Sequence, residues 1–131
     1  MSEFKFSSSS LKRLSTVDER LQKIANRALE LSSIDFGIPN YGGLRTAEEQ
    51  KALFDQKLSE LDGCNKKSYH QTGLALDVYA YVDGKASWDE KHLAKIAWFM
   101  QKAANELGNE IEWGGTWTSF VDMPHFQLPR G

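Results

Sequence analysis

The chain of 131 residues has one cysteine, three prolines and no apolar run approaching the roughly 20 residues of a membrane span. The single Cys64 excludes an internal disulfide. Thiolate zinc sites use paired cysteines, so Cys64 reads as an incidental loop thiol. Neither sign of charge prevails. Sixteen Lys and Arg stand against eighteen Asp and Glu, net charge -2, so the basic field that nucleic acid would require is missing. The N-terminal stretch MSEFKFSSSSLKRL lacks the apolar centre of a signal peptide. These absences predict a protein made in the cytoplasm that neither enters a membrane nor binds nucleic acid, and that has no export route of its own.

What is present is an ordinary globular composition, 40% hydrophobic and 26% charged, on a chain long enough for one core. One domain over residues 1–131 is expected, with no internal repeat and no linker-joined second unit.

Three capping boxes, a Ser or Thr followed three residues later by Glu, predict three helices. Thr16 and Glu19 open the first, with Val17, Leu21, Ile24, Ala25, Ala28 and Leu29 on one face. Thr46 and Glu49 open the second, with Leu53, Phe54, Leu58 and Leu61 inward. Ser87 and Glu90 open the third, where Leu93, Ile96, Ala97, Met100, Ala104 and Leu107 form the stripe and Gly108 is the stop. Strands are expected around Ile34–Ile38, over Leu74–Val82, and more briefly near Ile111–Trp113 and His125–Leu128. Short strands between helices without a regular βαβ rhythm imply an α+β domain with a small antiparallel sheet flanked by about three helices.

The chemistry concentrates in two segments. In SYHQTGLALD, His70 and Asp77 lie seven apart, an odd spacing that would send them to opposite faces of an unbroken strand. Gly73 offers the bulge or turn that resets the parity. Alternation places Leu74, Leu76, Val78, Ala80 and Val82 in the core and turns Asp77 to the more polar side. In VDMPHFQL, Pro124 forbids a regular helix, so Asp122 and His125 sit on a tight turn entering a strand. His70, Asp77 and His125 would give three N/O ligands with a fourth position for water, the pattern of a catalytic rather than a structural zinc site. Asp122 would then be the general base, against the plainer role of an Asp that bonds its own turn. Arg45, just before a helix cap in YGGLRTAEE at the end of a glycine-containing strand, could stabilise an oxyanion or simply pair with Glu48 or Glu49. His92, in a charged first turn, reads as solvated.

Together these residues resemble a known family. S-x-H-x-x-G-x-A-x-D is met by Ser68, His70, Gly73, Ala75 and Asp77. An acidic residue three before a His, after a Trp–Gly stretch, is met by Asp122 and His125 following Trp113–Gly114–Gly115, and Arg45–Thr46 opens a helix upstream. From about residue 11 to the end the chain is similar to the zinc peptidases that include D-Ala-D-Ala carboxypeptidases and dipeptidases and the L-alanyl-D-glutamate endopeptidases of phage endolysins. The resemblance implies a hedgehog/D-Ala-D-Ala-peptidase-like fold, one Zn2+ per chain on His70, Asp77 and His125, and Asp122 as catalytic base. It makes Arg45 an oxyanion or substrate contact, and Ser68 and Trp113 substrate contacts. Many relatives carry Glu where this chain has Asp122. The opening residues and ALELSSIDFGI resemble phage endolysins more than dipeptidases. A monomer acting on bacterial peptidoglycan is thereby implied, synthesised in the host cytoplasm and reaching the wall from the periplasm through a holin. A D,D-carboxypeptidase or dipeptidase, and a zinc-bearing binding module without catalysis, are the competing expectations.

Overall fold

The structure, a computed structural model, describes residues 4–55, 69–117 and 121–129. Among them are four α-helices and two three-stranded antiparallel sheets, so the α+β expectation holds with one helix and one sheet more than foreseen. Chain order begins with α1 (Ser8–Leu14), α2 (Glu19–Leu31), β1 (Asp35–Gly37) and α3 (Ala47–Asp55). A 3-10 turn over Tyr69–Thr72 then leads into β2 (Ala75–Asp77), β3 (Tyr79–Val82) and β4 (Lys85–Ser87). After α4 (Glu90–Glu106) come β5 (Glu112–Trp113), a second 3-10 turn at Gly114–Thr116, and β6 (His125–Gln127).

The two long helices form the back of the molecule. Leu21, Ile24, Ala25, Ala28 and Leu29 of α2 are buried, as are Leu93, Ile96, Ala97, Met100 and Ala104 of α4, and the two elements pack together. The alanines in both stripes permit close approach, while each buried Leu or Ile contributes about 1.5–3 kcal/mol. Leu107, expected in the stripe, is 41% exposed because α4 has already ended, with Gly108 in the left-handed region at φ 73.

Helix starts differ from the sequence reading in an instructive way. The box at Thr46 and Glu49 forms reciprocally: Glu49 N donates to Thr46 Oγ1 at 3.1 Å, and Thr46 N donates to Glu49 Oε1 at 2.9 Å. The other two do not form. Asp18 caps α2 by accepting from Arg20 N, and Asp89 caps α4 by accepting from Lys91 N. In both cases an aspartate nearer the helix presents a carboxylate to the first free N–H groups, a better acceptor there than a hydroxyl. Ser87 Oγ instead meets His92 Nδ1 at 2.7 Å, so His92 has a local partner. The freed Thr16 hydroxyl donates to Arg13 O and accepts from Leu44 N at 2.9 Å, fastening α1 to the segment that leads to α3. In α3 only Gln50 is buried; Leu53 is half-buried and Phe54 is 43% exposed, so the inward face foreseen there is largely absent. Leu58 and Leu61 lie outside the described residues, as does Cys64.

The apolar run at 74–82 is two strands rather than one. β2 pairs with β6, which also pairs with β5; β3 pairs with β1 and β4. Val78 lies between them, its N–H taken by Pro124 O at 3.0 Å. Leu76, Val78 and Ala80 are fully buried across the break, but Ala75 on the other face is fully buried too, and Leu74 and Val82, expected in the core, are half-buried. The register of β2 against β6 sets which side chains face each other across the two strands. Leu76 faces Phe126 on the core side, and one step on, Asp77 faces His125.

Gly73 separates the 3-10 turn from β2 at φ 74. An added methyl would meet nothing closer than 3.5 Å, so the demand on this position is conformational rather than steric. Gly73→Ala is expected to destabilise the protein by about 1–2 kcal/mol, the penalty of a left-handed L-residue. The check is a shift of the denaturant midpoint at unchanged slope.

Candidate metal centre

His70, Asp77 and His125 converge. His70 Nε2 lies 3.2 Å from Asp77 Oδ1 and 3.1 Å from His125 Nδ1, and His125 Nδ1 lies 3.1 Å from Asp77 Oδ1. The strand register delivers Asp77 and His125 to the same side of the sheet. The 3-10 turn and Gly73 bring His70 over them, so the parity reset expected at Gly73 is found. Both imidazoles are buried, and the Asp77 side chain is 16% exposed.

The outer atoms of each ring decide what the inner atoms can be. His70 Nδ1 faces Gly43 O at 3.0 Å, and a carbonyl only accepts, so this nitrogen carries the proton. His125 Nε2 faces Gln127 Oε1 at 2.8 Å and likewise donates. In the neutral rings, His70 Nε2 and His125 Nδ1 are therefore lone pairs, aimed at each other and at a carboxylate oxygen. Three acceptors within 3.2 Å of one another repel unless an electrophile lies among them, a proton or a metal ion. Neighbouring ligands of a tetrahedral first-row metal with bonds of about 2.0 Å are about 3.3 Å apart, close to the spacing here. The three residues thus form a possible metal-binding group, each contributing one ligand atom.

Electrostatics agree. Burial pushes the Asp77 carboxyl up, but His70 and His125 outweigh it and hold the group well below the usual carboxylate range. Burial lowers His125, yet its bonds to Asp77 and Gln127 bring the net shift upward, so a proton competes for Nδ1 when no metal is there.

The loop at 39–45 buttresses this centre. It is a turn, not the glycine-containing strand expected before Arg45. Three successive carbonyls point inward: Tyr41 O accepts from Arg45 Nε at 2.7 Å, Gly42 O from Asp77 N at 2.8 Å, and Gly43 O from His70 Nδ1. Tyr41 sits in the left-handed region at φ 62, a strain of about 1–2 kcal/mol held where those carbonyls are aimed. Arg13 pins the loop from α1 through Ile38 O and Asn40 Oδ1, at 2.8 and 2.7 Å. Sequence reasoning assigned no role to α1, to Arg13 or to this run of carbonyls. Main-chain acceptors leave no residue-type signal, and the only trace was the Tyr–Gly–Gly run itself.

Arg45 pairs with neither Glu48 nor Glu49. Its guanidinium donates to Asp77 Oδ2 at 3.0 Å and to Gln50 Oε1 at 2.9 Å, orienting the carboxylate from its outer oxygen. Burial lowers its pKa, while Asp77 and Asp122 oppose the shift. Three of its five N–H groups are committed to Tyr41, Gln50 and Asp77.

Asp122 stands at the edge of the cluster, Oδ2 4.0 Å from His125 Nδ1, with its side chain 34% exposed. Burial raises its pKa and the negative Asp77 raises it further, against the pull of His125, His70 and Arg45. Its backbone is fixed by Gly114: Asp122 N donates to Gly114 O at 3.0 Å, and a Cβ on Gly114 would collide with Asp122 O. Trp113 is committed internally, its indole N–H donating to Met123 O at 2.6 Å, so it braces the turn between Asp122 and His125. Trp117 lies against His125 with ring centroids 5.2 Å apart. Ser68 and Phe120 fall outside the described residues.

Residues 1–127 match the family model described as phage L-alanyl-D-glutamate peptidase. The L-alanyl-D-glutamate peptidase of Escherichia phage T5 is 37% identical over 98% of this chain and 91% of its own length. The enzyme of the same name from Listeria phage A118 is 32% identical over 92% of this chain, which spans 41% of that longer protein. Among solved structures, the Serratia marcescens L-Ala D-Glu endopeptidase ChiX superposes with a TM-score of 0.84 at 34% identity, covering 97% of this chain and 92% of its own. The chain belongs to the phage L-alanyl-D-glutamate peptidase family.

Proposed function

We propose that this protein is a zinc-dependent endopeptidase that hydrolyses the L-alanyl-D-glutamate bond of peptidoglycan stem peptides, serving as a phage endolysin. The observation that carries the reading is the lone-pair triangle of His70, Asp77 and His125, with a carboxylate of raised pKa, Asp122, at its edge. Two imidazoles and one carboxylate suit zinc better than a hard cation, which would favour oxygen ligands alone. Bound there, zinc supplies Lewis acidity, polarising a carbonyl and bringing the pKa of water to about 7.

The chain's own groups do the rest. Asp122 accepts a proton from the attacking water and returns it to the leaving amine, which calls for a carboxylate less acidic than an ordinary one. Burial and Asp77 supply that change. Arg45 holds Asp77 by one edge and offers its remaining donors to the developing oxyanion or to a carboxylate of the glutamate beyond the scissile bond. Trp113 keeps the 122–125 turn in place, and Trp117 walls one side of His125. Ser68 is assigned a substrate contact.

Residues 1–131 are read as one catalytic domain acting as a monomer. No described helix is long and apolar enough to cross a membrane. Synthesis in the host cytoplasm and release to the wall through a holin complete the proposal.

Digestion of purified Gram-negative sacculi, followed by mass spectrometry, tests the bond. Peptides beginning at D-glutamate, lost on chelation and regained with zinc, are expected; release of free D-alanine alone would instead mark a D,D-carboxypeptidase or dipeptidase. Asp122→Ala is expected to keep zinc within about threefold while turnover falls by about 10²–10⁴, the usual worth of a general base. His125→Ala is expected to lose both, as read by chelator competition beside the activity assay. In the zinc-free protein, where burial and Asp77 act unopposed by a metal charge, the Asp122 carboxyl is expected to titrate above an ordinary aspartate, read by carboxyl carbon NMR, and zinc is expected to lower it.

A further inference from the structure

We infer that Gln127, itself oriented by Glu112, is the positioning residue that fixes the proton of His125 on Nε2 and so keeps Nδ1 turned to the metal. The inference rests on the metal-centre reading of His70, Asp77 and His125. Its grounds lie on the two strands behind His125. On β6, His125 and Gln127 are two residues apart and share a face, and Gln127 Oε1 accepts from His125 Nε2 at 2.8 Å. On β5, Glu112 is the register partner of Gln127 and accepts from its Nε2 at 3.1 Å.

The second bond gives the first its sense. A carboxamide can present either its oxygen or its NH2 to a neighbouring ring, and the two ends differ little in shape. Turned over, Gln127 would donate to His125 Nε2, which would then have to be the lone pair, and the ring proton would move to Nδ1 among the ligand atoms. An ionised carboxylate accepts only, so Glu112 can be met only by the NH2 end. Glu112 thereby commits the oxygen of Gln127 to the histidine. The two histidines are held differently: a main-chain carbonyl fixes the His70 tautomer, whereas side chains fix that of His125. Outer partners of metal-bound histidines characteristically change metal affinity by about 10–100-fold when removed.

The test uses the full chain with zinc alone as the probe, its dissociation constant read by competition with a chromophoric chelator. Gln127→Leu is expected to weaken zinc binding about 10–100-fold. Glu112→Leu is expected to weaken it less, because the amide is freed rather than removed. The exchanged pair, Gln127→Glu with Glu112→Gln, restores both an acceptor on His125 and a bond between the strands, and is expected to bind at wild-type affinity or tighter. In the zinc-loaded protein, nitrogen-edited NMR of the imidazoles adds a readout that strand pairing alone would not move. The His125 Nε2 proton should be protected from solvent exchange in the wild type and the exchanged pair, and unprotected in Gln127→Leu.

Wild-type affinity and an equally protected proton in a folded Gln127→Leu would overturn the inference while leaving the metal centre standing. Should Gln127→Leu fail to fold, the exchanged pair decides: binding weakened to the level of Glu112→Leu overturns the inference. Failure of the wild type to bind zinc in a manner abolished by His70→Ala would overturn the metal-centre reading itself.

Discussion

Three lone pairs meeting at one point are the constraint around which the fold is organised. His70 Nε2, His125 Nδ1 and Asp77 Oδ1 lie within 3.2 Å of one another, an arrangement that no packing gain makes favourable without positive charge among them. Every outer atom of the three groups is correspondingly engaged. Gly43 O holds the far nitrogen of His70, Gln127 holds that of His125, and Arg45 holds the second oxygen of Asp77. Turning any one of them would relieve the repulsion, and the surrounding bonds prevent that. The centre is therefore preorganised, and the folding energy of the helical core is what maintains it.

That core reaches the site through a short chain of contacts. Leu76, Phe126 and Leu128 are buried in the same apolar cluster as the stripes of α2 and α4, and burial of Leu76 opposite Phe126 favours the register of β2 against β6 that opposes Asp77 and His125. A slip of one residue would send Asp77 and His125 to opposite faces of the sheet. At the other end, α1 holds the loop at 39–45 through Arg13, and the connection after it reaches the 3-10 turn through Asp18 N, which donates to Gly73 O at 2.8 Å. Each of the three side chains is positioned by a different part of the chain, and the three meet only when all of those parts are in place.

Residue types made the centre legible before its setting. Histidines and carboxylates at 70, 77, 122 and 125 announce themselves, and the odd spacing of His70 and Asp77 located the need for a turn at Gly73. The helical stripes of α2 and α4 were equally plain, because periodic apolar residues report directly on burial. What the sequence did not disclose has physical reasons. The caps at Asp18 and Asp89 displaced hydroxyls that also fitted the pattern, since spacing alone does not show that a carboxylate two residues nearer the helix is the better acceptor. The apolar run at 74–82 conceals its break at Val78 because both strands bury the same alternate residues. The partners of Arg45 came out differently from the nearby glutamates because Asp77, distant in sequence, is placed beside it by the fold.

Asp122 shows how closely the local backbone and the chemistry are joined. It reaches the cluster with one methylene fewer than glutamate, so its main chain must stand nearer to His125 for Oδ2 to come within 4.0 Å of Nδ1. Gly114 permits this: the Asp122 backbone passes so close that no side chain could be accommodated at 114, and the Trp113 indole closes the turn by bonding Met123 O. The same approach places Asp122 beside a second carboxylate, Asp77, and partly away from water, and both effects raise its pKa. In the role proposed for Asp122, a shorter acid would thus begin, before any metal binds, as a weaker acid than an ordinary aspartate. The Trp–Gly sequence and the Asp three residues before His125 are then parts of one local structure, in which Gly114 and Trp113 hold the turn that carries Asp122 to the edge of the cluster.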